Sequence, residues 1–517
     1  MRKLPIDVST FSELRTSDYL YVDKTEHIYK MITGGRRFFL SRPRRFGKSL
    51  LVSTLHETLS ANKSLFKDLW IDKSNYEWPE HGVINLDFST LITDTIASLN
   101  ESLKISLFFL AKSYKISLDT TLRNPSTILQ SFVHELFSKF GRVAILIDEY
   151  DSPILKTLYN EEIATSIRDT IQQFFTVIKS LDKYVQFVFI TGVSSFAKAG
   201  LFSGINNLQI LTLRDEYGSI CGYTDKEIDH NFHEYITQWA LQQNYSYEEL
   251  RHRIKNWYNG YRFGLNVNAV YNPFSFMNAL HSHDFENFWF QSGTPRFLVE
   301  ILKKEHTEID LTNPKASKDF LGVFDVNKIL PISLMFQAGY LTIVDYNPNS
   351  QLFTLDYPNE EVRVSFQKYL LEVFAHIESS QAGRLSSELY EAFEQQNINK
   401  VIVLLKQLFA HVPYQLHIKQ ESYYHSLLMM ICIGARIKAQ SEYSTSLGSI
   451  DLVLEFQKVI YVIEVKFNDS AEAALQQIKD RRYYERFLDQ DKPIILLGLA
   501  FKKEPSNFDI TYVIEMI

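Results

Sequence analysis

Four apolar runs, "FFLS" (38–41), "GVINLDFS" (82–89), "VAILIDEY" (143–150) and "VQFVFITGVS" (185–194), are separated by helical stretches such as "NPSTILQSFVHELFSKF". A chain that alternates in this way folds as a parallel sheet with helices on both faces. The first run leads into "SRPRRFGKS" (41–49), after which Leu50, Leu51, Thr54, Leu55 and Leu59 fall near helical spacing. Strand, loop and helix in that order suit a phosphate-binding loop. The usual pattern G-x-x-x-x-G-K-[ST] has Arg42 where its first glycine belongs, so only the end of the pattern is present.

A bound triphosphate needs backbone N–H groups around its oxygens, a lysine on the terminal phosphates and a hydroxyl on Mg²⁺, at a helix N-terminus. Gly47, Lys48 and Ser49 stand where those parts belong, but G-K-S alone is common. The second support is "AILIDEYD", an apolar strand that delivers Asp148 and Glu149 at its C-terminal end, where open α/β sheets bind ligands. Asp148 is expected to hold Mg²⁺ and Glu149 to orient or deprotonate the attacking water. Thr191, at the end of "FVFIT", is suited to sense the terminal phosphate. Arg42, Arg44 and Arg45 would replace glycine contacts with guanidinium charge, on the nucleotide or on nucleic acid beside it. Asp23 and Lys24 in "YVDKT" read equally well as nucleotide contacts or as an exposed turn pair, and spacing does not choose between Arg214 and Arg262 as an arginine from elsewhere.

Length gives a soft expectation of about three domains for 517 residues. With 45% hydrophobic and 22% charged residues the chain is of ordinary globular composition, not of the disordered kind. No apolar run reaches the ~18 residues of a membrane span, and "MRKLPIDVST" lacks the apolar core of a secretory signal, so a cytoplasmic protein without membrane partners is expected. Cys221 and Cys432 lie far apart with no C-x-x-C spacing, which supports neither a disulfide framework nor a zinc site. A net charge of −7 argues against a chain coated in nucleic acid and leaves room for a local basic groove.

The expected domains are 1–215, a parallel α/β domain; 216–410, a helical middle region; and 411–517, a small α/β unit. In the middle region "YLTIVDY" and "QLFTLDY", joined by "NPNS", read as a β-hairpin flanked by helices, the pattern of a winged helix over 320–375. The last region reads as helix "ESYYHSLLMMICIGARIKA", strands "DLVLEF" and "VIYVIEVKF", helix "SAEAALQQIKDRRYYERFL", and strands "PIILLGLAF" and "FDITYVIEM".

In "YVIEVKF" the side chains of Val462, Glu464 and Lys466 share one face of an otherwise apolar strand. Burying a Glu and a Lys costs several kcal/mol unless they pair or meet a metal. A short hairpin brings Asp451, thirteen residues earlier, beside Glu464. Two carboxylates holding Mg²⁺ next to a lysine suit phosphodiester hydrolysis. E-x-K alone is usually a surface ion pair; Asp451 and the flanking helices change that weighting. Glu421, at the start of the preceding helix, would add a metal ligand or only complement the helix dipole. Gln477 and Tyr484, seven residues apart on one helix, would share a face toward the metal or nucleic acid, and "KDRRYYER" interleaves charge and aromatics as nucleic-acid grooves do.

Taken together, "LPIDVSTFSELRTSDYLYVDKT", "FLSRPRRFGKSLL", "ILIDEYD", "FITGVSSF", "WYNGYRFG", "QAGYLTIVDY", "YPNEEVR", "ESYYHSLL", "SIDLVLE", "VIEVKF" and "ALQQI" resemble bacterial proteins that pair an AAA-ATPase-like N-terminal domain with a C-terminal PD-(D/E)XK nuclease-superfamily domain. The resemblance covers nearly the whole chain. It implies a P-loop NTPase fold, a helical or winged-helix-like middle and an α/β nuclease-like end, within an overall α/β class. The family's loop reads R-P-R-R-F-G-K-S, so Arg42 follows its pattern. The resemblance implies Lys48, Ser49 and Asp148 as ATP and Mg²⁺ residues, and Asp451, Glu464 and Lys466 as a nuclease triad. Ser449 departs from the arginine expected in "G-R-I-D", which bears on substrate contacts more than on the metal. The expected activity is an ATPase joined to Mg²⁺-dependent cleavage of nucleic acid, DNA in the first place, with room for a homo-oligomer; that the nucleotide state governs the cut is inferred from covalent linkage alone. The rival readings are a nucleotide-gated module that binds DNA or protein without cutting, and a site that binds nucleotide without turnover.

Overall fold

The computed structural model describes the chain except residues 196–199, 203, 204, 206, 294–313, 323–329, 375–378, 411–423, 425–427, 430, 433, 436, 446, 447, 491, 505 and 506. The described residues form two compact units, one holding those of 1–293 and 315–361, the other those of 362–517 with Pro314.

In the first unit, β1 (Arg37–Ser41), β2 (Gly82–Asp87), β3 (Val143–Asp148), β4 (Val185–Gly192) and β5 (Gln209–Ile210) form a sheet in the order β2-β3-β4-β1-β5. All its pairings are parallel. β1 and β3 are buried along their whole length, which explains their near-continuous apolar sequence. Between the strands lie α1 (Lys48–Leu59), α2 (Ile96–Ser113), α3 (Pro125–Phe140) and α4 (Glu161–Ser180). Thr95 and Ser98 cap α2 reciprocally, Asn124 and Pro125 open α3, Gly141 closes it in a left-handed turn, and Asn160 caps α4.

The chain then becomes helical, with α5 (Pro273–Ser282), α6 (Phe288–Gly293) and α7 (Pro331–Ala338). The hairpin of β7 (Thr342–Asn347) and β8 (Leu352–Asp356) forms as expected. β6 (Lys315–Ser317), which sequence reading did not anticipate, pairs with β8 to complete a sheet ordered β6-β8-β7. α8 (Glu360–Phe374) follows.

The second unit holds α9 (Ser379–Glu394), α10 (Ile398–Ala410), β9 (Lys438–Thr445), β10 (Gly448–Glu455), β11 (Ile460–Phe467), α11 (Ala471–Asp480), β12 (Ile494–Glu504) and β13 (Asn507–Met516). Its sheet runs β13-β12-β11-β10-β9, antiparallel except for β11–β12. Three details differ from the expectation. β9 takes up the end of the segment read as helix through 439. The border expected at 410 falls inside this unit, because α9 packs on the sheet: the Tyr461 hydroxyl donates to the Phe393 carbonyl at 2.7 Å. The helix read as continuous through 488 ends at Asp480, and a 3₁₀ turn, Tyr483–Phe487, follows Arg482 at φ +49°.

Candidate active sites

The loop after β1 carries few glycines and is held by side chains instead. Arg42, 1% exposed, donates to the carbonyls of Ser41, Thr212 and Tyr217, each at 2.9 Å, and lies over the Phe263 ring. Its guanidinium is spent on backbone, so Arg42 braces the loop and does not clamp a ligand, correcting the first of the three arginine expectations. Phe46 packs edge-on against Tyr261 and Phe263. Arg45, at φ +65°, is exposed, stands over Phe274 and lies 3.9 Å from Asp7. Gly47 takes φ +85° as the residue before α1, a conformation that favours glycine.

Lys48 opens α1 buried, with its Nζ 3.2 Å from the Pro43 carbonyl and 3.1 Å from Glu149 Oε1. Asp148 ends β3 beside it. Burial first, and then the Glu149 charge, push its carboxyl up to about 6, while the Ser49 hydroxyl and Lys48 pull the other way. Glu149 sits at φ +47°. Asp87, at the end of β2 and in register with Asp148, is a further carboxylate that sequence reading passed over. Alongside these residues runs a cleft of about 580 Å³, lined by Arg45, Gly47, Lys48, Ser49 and Glu149 and, farther along, by Tyr21, Val22 and Met277.

Thr191 lies beside this site but outside the cleft lining, its carbonyl accepting from the Tyr150 N–H at 3.1 Å. It is fully buried and its hydroxyl donates to the Leu40 carbonyl at 2.7 Å, so it ties β4 to β1 within the sheet. Lys24 is not an exposed turn residue: it lines the cleft, buried, with Nζ 2.9 Å from the Ser219 carbonyl and 2.5 Å from Glu227. Asp23 accepts from the Thr25 and Trp70 N–H groups. Neither Arg214, which donates to Gln209, nor Arg262, whose guanidinium donates to the Val344 carbonyl, reaches the cleft lining. Cys221 and Cys432 are buried free thiols.

In the second unit the hairpin register sets Leu452 against Ile463, so Asp451 stands next to Glu464 across the strands. Asp451 accepts from the Val465 N–H at 2.8 Å. Glu464 is 1% exposed; its Oε1 accepts from the Gln477 amide and lies 3.6 Å from Lys466 Nζ, and its Oε2 is buried without a hydrogen-bond partner. Burial, then Asp451, push this carboxyl up to about 8, against the pull of Lys466.

Gln477 reaches Glu464 because α11 lies close on the sheet. Gly498, the neighbour of Glu464 on β12, has no side chain there, and a Cβ would fall 2.2 Å from the Ala471 carbonyl. Tyr484 does not share a helical face with Gln477, since α11 has ended; Tyr483 is buried instead, in hydrogen-bonding reach of Gln477 and beside the Glu464 charge. Glu421 lies outside the described residues. Among the described residues no group of three or more His, Cys, Asp or Glu side chains gathers as a metal site. The buried Glu464 Oε2 next to Asp451 nevertheless fits a cation held by two carboxylates and water.

Among the described residues no helix is long and apolar enough to cross a membrane. The profile of the family described as "Predicted AAA-ATPase" matches residues 5–202, and that of the PD-(D/E)XK nuclease superfamily matches 419–509. Among solved structures the chain is similar to the Walker-type ATPase PABY2304 of Pyrococcus abyssi (12% identity, TM-score 0.34, 70% of this chain and 97% of that one). It is also similar to the Aeropyrum pernix ORC1 protein in complex with DNA (9%, 0.27, 69% and 96%). A protein described as "Uncharacterized protein in vnfD 5'region", from Azotobacter chroococcum mcd 1, is 33% identical over 529 residues, covering 100% of this chain and 99% of that protein. With a relative alike from end to end and both domains matched, the chain belongs to the family that joins an AAA-ATPase-like domain to a C-terminal PD-(D/E)XK nuclease-superfamily domain.

Proposed function

We propose that the protein hydrolyses ATP at the phosphate loop and cleaves nucleic acid, DNA in the first place, at the Glu464 centre with Mg²⁺, the nucleotide state governing the cut. The observation that carries the reading is the meeting of Lys48 with the acidic end of β3: an ammonium at a helix N-terminus, 3.1 Å from Glu149 and next to Asp148. Lys48 balances charge on the phosphoryl group in transfer, and Glu149 orients water or takes its proton. Ser49 and Asp148 are the residues that would hold Mg²⁺ there, and Arg45 reaches the nucleotide from the loop.

In the second unit Asp451 and Glu464 would hold Mg²⁺, which when bound supplies an acidified water at neutral pH. Lys466 offsets charge that develops on the phosphate, and Gln477 fixes the Glu464 carboxylate. The test is incubation of the full chain with linear and circular DNA, with and without Mg²⁺ and ATP. Cleavage that needs both supports the reading; ATP hydrolysis with DNA bound and uncut in Mg²⁺ would leave a nucleotide-gated binding module.

A further inference from the structure

The loops that leave β1 and β4 start side by side, with Ser41 in register with Gly192 and the Arg42 N–H donating to the Gly192 carbonyl at 3.1 Å, and one short stretch of chain holds both. Gly339 closes α7 at φ +92°, and a Cβ there would fall 2.7 Å from the Pro43 Cβ of the phosphate loop. The next residue, Tyr340, packs against Trp289 with ring centroids 5.2 Å apart, and the Trp289 indole donates to the Arg44 carbonyl at 3.1 Å.

The second loop, 193–195, follows β4. On one side Asp151 accepts from the N–H groups of Val193 at 3.1 Å and Ser194 at 2.6 Å, and the Tyr150 hydroxyl donates to the Ser194 carbonyl at 2.8 Å. These two residues continue directly from Asp148 and Glu149. On the other side Gln337 accepts from the Ser195 N–H at 2.8 Å. Its own amide donates to the Leu321 carbonyl at 2.9 Å and lies 3.2 Å from the Ser333 hydroxyl, so the side chain is fixed at both ends.

We infer that the turn Gln337–Tyr340 sets the phosphate loop and the loop after β4 relative to one another, making Gln337 and Gly339 positioning residues for phosphoryl transfer. The inference rests on the ATPase reading of the first site. The lining of the cleft runs from Pro5 to Met277, so α7 acts without touching the ligand. Phosphoryl transfer is catalysed largely by position and charge, and a misplacement of about 1 Å costs on the order of 100-fold. Gln337 holds the second loop, whereas Gly339 bears on the phosphate loop itself. The two substitutions should therefore separate.

The test uses the full chain, titrated with a fluorescent ATP analogue and assayed for ATP hydrolysis, with hydrogen–deuterium exchange of the wild type with and without ATP. Gln337→Met, of similar length and without an amide acceptor, should lower kcat on the order of tenfold to 100-fold while KM and analogue affinity stay within about twofold. Gly339→Ala should weaken nucleotide binding as well. In the wild type, which needs no variant to fold, ATP should raise protection of the 331–341 backbone. Unchanged protection of that segment in a protein that does bind ATP, or a Gln337→Met variant turning over within about twofold of wild type, would overturn the inference. A wild type that neither binds nor hydrolyses ATP would instead overturn the reading of the site.

Discussion

Lys48 Nζ lies 3.1 Å from Glu149 Oε1, joining the first residue of α1 to the residue after β3. Both groups are assigned to the same phosphoryl, one as its charge partner and one as the orienter of water. Their losses should differ. Lys48→Ala should abolish both tight ATP binding and hydrolysis, whereas Glu149→Gln should keep binding and lose about 10²–10⁴-fold in turnover. Equilibrium binding of an ATP analogue beside a steady-state phosphate assay separates the two.

The loop arginines should divide in the same manner. Arg42→Ala leaves three backbone carbonyls without their donor in a buried place, and should cost about 3 kcal/mol or more of stability by denaturant unfolding. Arg45→Ala removes an exposed side chain, so stability should move by no more than about 0.5 kcal/mol while nucleotide affinity falls.

Glu361 gives the first unit a pH signature. It is fully buried, accepts from the Ser275 hydroxyl and the Trp289 N–H, and burial pushes its carboxyl up to about 8. The folded state then holds a proton that the unfolded chain has released between about pH 4.5 and 8, so this residue makes stability fall as pH rises through that window and stay level above it. Glu361→Gln removes that slope. Its stability relative to wild type should rise by a few kcal/mol from pH 5 to pH 8, at about 1.4 kcal/mol per pH interval of one. Thermal melts at both pH values check this, and parallel curves would contradict it.

Gly498→Ala should part α11 from the sheet, because the new Cβ meets the Ala471 carbonyl. A cost of about 1–3 kcal/mol is expected. Cleavage should fall further than stability alone explains, since Gln477 would then leave Glu464.

Much of this was legible in the sequence where chemistry and periodicity coincide in one segment. The strands that carry Asp148 and Glu464 are apolar runs ending in, or interrupted by, charge, and Gly47-Lys48-Ser49 sits between a strand and an amphipathic helix. What escaped depends on distant partners. The role of Arg42 is decided by the Thr212 and Tyr217 carbonyls, and that of Lys24 by Glu227, none of them near in sequence. Thr191 looked like a phosphate sensor because it ends a strand, yet the neighbouring strand takes its hydroxyl. The pairing of Gln477 with Tyr484 assumed an unbroken helix, whereas the left-handed turn at Arg482 ends that register and brings Tyr483 inward. β5, two residues long, is too short to leave a periodic trace.

On the proposed function one chain carries two hydrolytic sites, and the ATP site governs the cut made at the other. The most direct test is DNA cleavage and ATP hydrolysis measured together, in Mg²⁺, on wild type, Lys48→Ala and Lys466→Ala. Lys466→Ala should lose cleavage and keep ATP hydrolysis, and Lys48→Ala should lose both. Undiminished cleavage by Lys466→Ala would contradict the account.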